Sequence, residues 1–145
     1  MSPGVDMNRV TAWLGAVMVM TGLFGAAAAA PRAQEAGDRI DITIRNFTYQ
    51  FPVKVLRPDQ PVTIRLRNQD TVEHGFRSPM LSDTEVRVDT AAGSTFGRGI
   101  KVIHVLPGQE VSIYLTAPPP GQYPFECDLH PKMKGELFLL SVGTA

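Results

Sequence analysis

The feature that most constrains the fold of this 145-residue chain is the strict alternation of apolar and polar residues in short runs. Between Arg39 and Phe47, every second residue from Ile40 to Ile44 is isoleucine, and polar residues lie between them. A period of two places such side chains on one face of a β-strand. The pattern therefore predicts a strand with one buried face.

Similar runs predict further strands at 53–56, 61–68, 110–116, 122–127 and 136–142. Proline and glycine separate them as turns, at Pro58, Pro61, Pro107-Gly108 and Pro118 to Gly121. No amphipathic helix is apparent, and residues 77–99 fit either a loop or an additional hairpin. About 110 residues of this kind close one two-sheet core. The prediction is an all-β chain folded as a two-sheet antiparallel β-sandwich.

The N-terminal residues have a different character from the alternating part. Arg9 precedes an apolar, small-residue stretch from Val10 to Ala30, which is typical of a secretory signal. We expect a signal segment over residues 1–33, cleaved near Ala29 or after Ala33, with translation beginning at Met1 or at Met7. An uncleaved membrane anchor is the alternative, although five consecutive alanines lower the apolar character of the stretch. Residues 34–145 then form one domain, which is exported to the periplasm.

The charge balance and the motif content of the chain argue against several classes of function. From Gln34 onward, 12 Lys and Arg residues face 13 Asp and Glu residues, so the domain is nearly neutral. No basic run supports nucleic-acid binding, and no glycine-rich loop supports phosphate binding. No serine nucleophile with a plausible base stands out either. We therefore expect no catalytic residues and a protein that is not an enzyme.

The only cysteine lies in a short run that also holds an imidazole and a thioether. Cys127, His130 and Met133 follow one another at intervals of three. Two imidazoles and a thiolate, with a weak axial thioether, suit a copper ion that changes between Cu(II) and Cu(I). A lone cysteine or methionine more often fills a core, but the three together predict three ligands of one copper ion.

The second imidazole must come from His74 or His104. His74 is the better candidate, because it follows the strand at 61–68 through a turn-prone segment and a strand end holds a ligand rigidly. His104 lies in an alternating run whose pattern does not decide the side it faces. Met80 is an alternative to Met133 as the axial ligand. Three acidic residues flank the candidate ligands and are expected to face solvent: Glu73, Glu126 and Asp128.

These residues resemble the cupredoxins, the small blue-copper proteins, over about residues 38–143. The spacing Cys-x-x-His-x-x-Met, with Pro131 after the histidine and Lys134-Gly135 after the methionine, is most similar to amicyanin and plastocyanin-like proteins. The resemblance implies a Greek-key sandwich with one copper ion, held by His74, Cys127, His130 and Met133. Many cupredoxins carry Asn directly after the first histidine, where its side chain links the two ligand loops. This chain has Gly75 there.

The sequence His-Gly-Phe at 74–76 is similar to the copper domains of cytochrome oxidase subunit II, whose binuclear centre needs two cysteines. A single cysteine excludes that centre, and its position also excludes a lipid anchor at the N-terminus. We expect a monomeric type 1 copper protein that carries single electrons between redox partners docking near His130, where Lys132 and Lys134 steer an acidic partner. A copper carrier or assembly factor that delivers the ion is the alternative. A copper enzyme with an open coordination position, left if Met133 does not bind, is a third.

Overall fold

The computed structural model describes residues 37–141. They form eleven strands and one short 3-10 turn, Pro79–Leu81. The strands are β1 (Asp38–Arg45), β2 (Thr48–Gln50), β3 (Val55–Leu56), β4 (Pro61–Asn68), β5 (His74–Phe76), β6 (Glu85–Thr90), β7 (Gly93–Arg98), β8 (Ile103–Val105), β9 (Glu110–Thr116), β10 (Gly121–Glu126) and β11 (Lys134–Leu139).

The largest sheet has six strands in the order β2-β1-β4-β9-β6-β7. Its pairing aligns the apolar residues of neighbouring strands: Ile40 lies opposite Ile64, Ile64 opposite Ile113, and Ile113 opposite Val88. All four side chains are buried. Each such burial stabilises the fold by about 1.5–3 kcal/mol. A slip of one residue in any of these strands would turn its buried side chain toward solvent and lose that contribution.

A three-stranded sheet, β10-β11-β3, and a two-stranded sheet, β5-β8, complete the architecture. Residues from all three sheets share one hydrophobic core, as a sandwich requires. The prediction of an all-β sandwich is confirmed and most strand pairs are antiparallel, but the described residues form three sheets, not two, and two of the strand pairs are parallel. Strand β1 runs parallel to β4, and β11 runs parallel to β3. Alternation marks the buried face of a strand and carries no information about the direction of its neighbour.

Several boundaries differ from the sequence prediction. The run predicted from Arg39 to Phe47 ends at Arg45, because Asn46 and Phe47 form a tight turn into β2. Residues 77–99, which fitted a loop or a hairpin, contain the hairpin of β6 and β7. That hairpin extends the large sheet through β9.

The predicted signal segment, with its possible starts and cleavage sites, lies outside the described residues. Within residues 37–141, no helix has the length and apolar character needed to cross a membrane.

Candidate metal centre

Three of the four predicted ligands converge in space. One ligand atom from each of His74, Cys127 and His130 lies within 4.8 Å of the others, and this is the one such group of possible metal-binding side chains in residues 37–141. His74 and Cys127 are buried, whereas His130 is half-buried. The Cys127 sulfur lies 3.5 Å from His130 Nδ1. The three side chains therefore face a common point beneath the surface.

The loop between β10 and β11 supplies Cys127, His130 and Met133. Its ends are joined by a hydrogen bond from the Cys127 amide to the Met133 carbonyl, at 3.1 Å. A second bond, from the Met133 amide to the His130 carbonyl, closes its last turn at 2.9 Å. Met133 is buried in this loop, as an axial ligand would be. Met80, the predicted alternative, is buried in the 3-10 turn Pro79–Leu81.

His74 is positioned by the segment that leaves β4. The buried Asn68 side chain donates to the carbonyls of Val72 and Val105, at 2.8 and 2.9 Å, and accepts from the Asp70 amide at 2.9 Å. It thereby fixes the turn and holds it to β8. The chain then enters β5, where His74 pairs with Val105.

The two ring nitrogens of His74 have different surroundings. Nε2 lies 2.9 Å from a carboxylate oxygen of Asp70. Nδ1 is buried and has no hydrogen-bond partner. A carboxylate on one nitrogen keeps the proton there and leaves the lone pair of the other free, as in metal-binding histidines. A buried polar atom without a partner is costly, and a metal ion at this point would satisfy it. The residues present therefore fit a copper ion.

Asp70 also holds the turn between β1 and β2. Its carboxylate accepts hydrogen bonds from the amides of Asn46 and Phe47, at 2.7 and 3.0 Å. Burial alone would raise the pKa of Asp70, but these two amides and His74 more than offset it and hold the pKa below its usual value. One carboxylate thus connects the β1–β2 turn to a candidate ligand.

Both turn residues have left-handed backbones, with φ of 51° at Asn46 and 56° at Phe47. This conformation costs a residue other than glycine about 1–2 kcal/mol, and asparagine tolerates it better than phenylalanine does. Phe47 is 53% exposed, yet its ring makes edge-to-face contacts with both candidate imidazoles. The ring centroids lie 5.4 Å from His74 and 5.0 Å from His130. Phe47 therefore covers the two histidines.

The peptide of Gly75 is held from both sides. Its amide donates to the Cys127 sulfur at 3.2 Å, and its carbonyl accepts from the buried Tyr49 hydroxyl at 2.5 Å. Burial, then the nearby charges of Cys127 and Asp128, raises the pKa of Tyr49. A hydrogen bond to a copper-binding sulfur is one of the features that set the reduction potential of such sites.

His104, the weaker candidate for the second imidazole, lies apart from the convergent group. It is on β8, half exposed, with Nδ1 3.0 Å from Glu73 Oε1 and Nε2 3.0 Å from Asp128 Oδ2. Desolvation acts to raise the pKa of Asp128, but the hydrogen bonds from His104 and from its own backbone amide, together with nearby positive charge, outweigh it and lower that pKa. Glu73 and Asp128 both contact His104, so the expectation that they simply face solvent is incomplete.

An aromatic cluster lies below the centre. The buried ring of Phe125, two residues before Cys127, contacts Tyr49, Phe51 and Phe76, with centroid distances of 5.0, 5.2 and 5.1 Å. Gly135 on β11 lies opposite Phe125. A Cβ at Gly135 would lie 2.2 Å from the Phe125 ring, so this position needs glycine.

Sequence reasoning missed the supporting residues Phe47, Tyr49 and Asp70. Asp70 carries a weak signal, because it lies in the turn-prone segment before His74. Phe47 carries none, since it follows an alternating run and is largely exposed. Their roles depend on contacts between distant segments, such as the contact between Asn46 and Asp70, which lie 24 residues apart.

Comparison with known proteins agrees with this fold. The chain matches the cupredoxin-like domain family over residues 15–139. Similar solved structures include a multicopper oxidase, with a TM-score of 0.52 and 17% identity over 71% of this chain and 44% of that one. The multicopper oxidase McoA of the hyperthermophile Aquifex aeolicus has a TM-score of 0.53 and 15% identity, over 77% of this chain and 31% of that one.

Amicyanin from Paracoccus versutus has a TM-score of 0.44 and 20% identity, over 71% of this chain and 82% of that one. The chain spans less than half the length of the two oxidases. At these identities, the likeness to the oxidases shows the fold alone. No curated protein sequence matches the chain significantly.

Proposed function

The chain belongs to the cupredoxin-like domain family, and on that premise we propose that it is a single-electron carrier built around one type 1 copper ion. The ligands in this proposal are His74, Cys127, His130 and Met133. A copper ion held there would supply the one-electron chemistry by alternating between Cu(II) and Cu(I). The protein supplies the positions of the ligands and the exclusion of water.

The observation that carries the proposal is the unpartnered Nδ1 of His74. Asp70 fixes the His74 ring through the opposite nitrogen, Nε2, and the ring faces the same point as the Cys127 sulfur. Ligands placed in advance by hydrogen bonds move little when the charge of the metal changes. Small rearrangement allows rapid electron transfer.

Electrons would pass through His130, because it is the least buried member of the convergent group. Exposed apolar side chains lie beside it: Leu129 precedes it in the chain, and the Phe47 ring contacts it. A small apolar surface suits a transient redox partner. Lys132 is exposed and free to steer an acidic partner, whereas Lys134 lies 3.7 Å from Glu126 and is partly neutralised.

The burial of the ligands favours electron transfer over delivery of copper to an acceptor. His74, Cys127 and Met133 are all buried, and Phe47 covers the histidines. An acceptor protein could reach the metal directly only by displacing that cover. The same cover argues against an enzyme in which an open coordination position admits a small molecule.

Export to the periplasm, with the segment 1–33 removed, belongs to the same proposal. An oxidising compartment normally pairs cysteines, and here metal ligation would protect the single buried thiol instead. The redox partners, and the monomeric state suited to brief encounters with them, are likewise proposed.

The experiment is the visible spectrum of the copper-loaded protein through repeated oxidation and reduction. We expect an intense blue absorption from the thiolate that survives the cycles, and Cys127→Ser should abolish it. Met133→Leu should shift the band and the reduction potential, whereas the matched control Met80→Leu should change neither. A colourless or easily stripped site would refute the proposal, and a shift caused by Met80→Leu alone would assign the axial position to Met80.

A further inference from the structure

We propose that His104 is a positioning residue that joins the two segments carrying the buried ligands. Its imidazole lies between two carboxylates, with Nδ1 3.0 Å from Glu73 and Nε2 3.0 Å from Asp128. We refer to these three side chains as the His104 bridge. The inference rests on the proposed function only in taking His74 and Cys127 as ligands.

Each carboxylate of the His104 bridge is next to a ligand in the chain. Glu73 immediately precedes His74, and Asp128 immediately follows Cys127. The two ligands are carried by different sheets, because His74 lies on β5 and Cys127 lies in the loop that directly follows β10. The single ring of His104 therefore connects one ligand segment to the other.

Strand pairing fixes the ring at this place. His104 lies opposite Gly75 in the antiparallel pair of β8 and β5. The backbone of β8 therefore holds the imidazole beside the residue that follows His74. A histidine on a paired strand is a better anchor than one on a free loop, because the strand restricts its backbone.

The His104 bridge occupies the space that a side chain at Gly75 would need. A Cβ at this position would lie 1.8 Å from Asp128 Oδ1 and 3.2 Å from His104 Cδ2. Asp128 cannot move away without leaving His104, to which its other oxygen is bonded. The His104 bridge therefore requires glycine at position 75. The His104 bridge links the two ligand segments across Gly75, a residue that has no side chain to link them itself.

This arrangement has a direct consequence for the sulfur ligand. The amide of Gly75 donates to the Cys127 sulfur at 3.2 Å, and the length of that bond depends on the spacing of the two segments. Removing His104 leaves Glu73 and Asp128 without the group between them, and like charges repel. The segments should then separate more often, which exposes Cys127 and weakens the bond to its sulfur.

The first test uses the copper-free protein and measures the rate at which 5,5′-dithiobis(2-nitrobenzoic acid) modifies Cys127. We expect His104→Ala to raise this rate about three- to tenfold, as the loss of two partly exposed contacts with carboxylates implies. His104→Arg should restore a slow rate, because a guanidinium can pair with both carboxylates. Val88→Ala, in the core of the large sheet, is the control for general loss of stability.

An unchanged rate in His104→Ala, or an equal rise in a Val88→Ala variant of matched stability, would overturn the proposal. The copper-loaded variants provide the second readout. Here His104→Ala should shift the thiolate absorption and the reduction potential, and His104→Arg should reverse much of both shifts. If the wild type takes up no copper, the proposed function fails, while the thiol rates still decide whether the His104 bridge holds the segments.

Discussion

Asp70→Asn is the substitution that most directly tests how the centre is supported. The carboxylate is only 10% exposed and accepts three hydrogen bonds, from the amides of Asn46 and Phe47 and from His74. The Asn46 amide binds one oxygen, whereas Phe47 and His74 share the other. Asparagine keeps only one oxygen, so at least one N–H loses its acceptor.

A hydrogen bond to a charged group contributes about 1.5–3 kcal/mol, and a buried donor left without an acceptor costs about 1–3 kcal/mol. We therefore expect Asp70→Asn to lower the free energy of unfolding by about 2 kcal/mol. The assay is urea unfolding of the copper-free protein, in which metal binding contributes nothing. The midpoint should fall while the slope stays constant.

Asp41→Asn is the matched control. Asp41 is an exposed carboxylate on β1 that pairs with Arg39, two residues away. Exposed pairs of this kind contribute about 0.2–1 kcal/mol, so its loss should cost far less than that of Asp70. Equal costs for the two substitutions would show that Asp70 does not support the centre in the way its contacts indicate.

The substitution Phe47→Gly tests whether Asp70 stabilises the strained turn between β1 and β2. Glycine adopts the left-handed conformation of Phe47 without strain. When Asp70→Asn releases the turn, the wild type recovers the strain energy by relaxing, whereas a Phe47→Gly protein has none to recover. The cost of Asp70→Asn should therefore be larger by about 1 kcal/mol in the Phe47→Gly background, which a double-mutant cycle measures. Strictly additive effects would refute the conclusion that Asp70 stabilises a strained turn.

Two further substitutions test the packing below the centre and a pair of charges elsewhere in the fold. Gly135→Ala would place a Cβ 2.2 Å from the Phe125 ring, and we expect a loss of about 1–3 kcal/mol in urea unfolding; a neutral result would contradict the packing described. Asp38→Asn should reduce the loss of stability in acid. Burial acts to raise the pKa of Asp38, but hydrogen bonds and charge from Arg57 hold it below its usual value. Asp38 therefore stabilises the fold above about pH 4 and loses this effect as pH falls further, which titration of the unfolding midpoint would detect.

The large strands were predictable because their signal is local. In β4 and β9, alternating apolar residues mark one buried face, and the predicted ranges 61–68 and 110–116 agree with the structure. The short strands β2, β5 and β8 have three residues each, too few for a period of two to be recognised. Their existence depends on pairing with distant partners, which no local pattern contains.

The contrast between local signals and contacts with distant segments also applies to the candidate centre. Three of the candidate ligands, Cys127, His130 and Met133, lie within seven consecutive residues, so their spacing indicates the chemistry of the site directly. The groups that hold His74 come from elsewhere: Asp70 is local, but the turn it supports is 23 to 24 residues away. A carboxylate in a turn-prone segment looks like an ordinary turn residue until the three-dimensional structure shows what it binds.

Gly75 shows why ligand spacing alone does not describe such a centre. Glycine has no side chain, and the role of this residue follows entirely from its neighbours. The Cys127 sulfur accepts its amide hydrogen, the Tyr49 hydroxyl donates to its carbonyl, and Asp128 fills the space beside its Cα. A residue with a side chain could link the ligand segments directly but would exclude Asp128. Glycine instead lets three separate segments meet at one peptide, so the geometry around the sulfur is set by strand pairing as much as by the ligand loop.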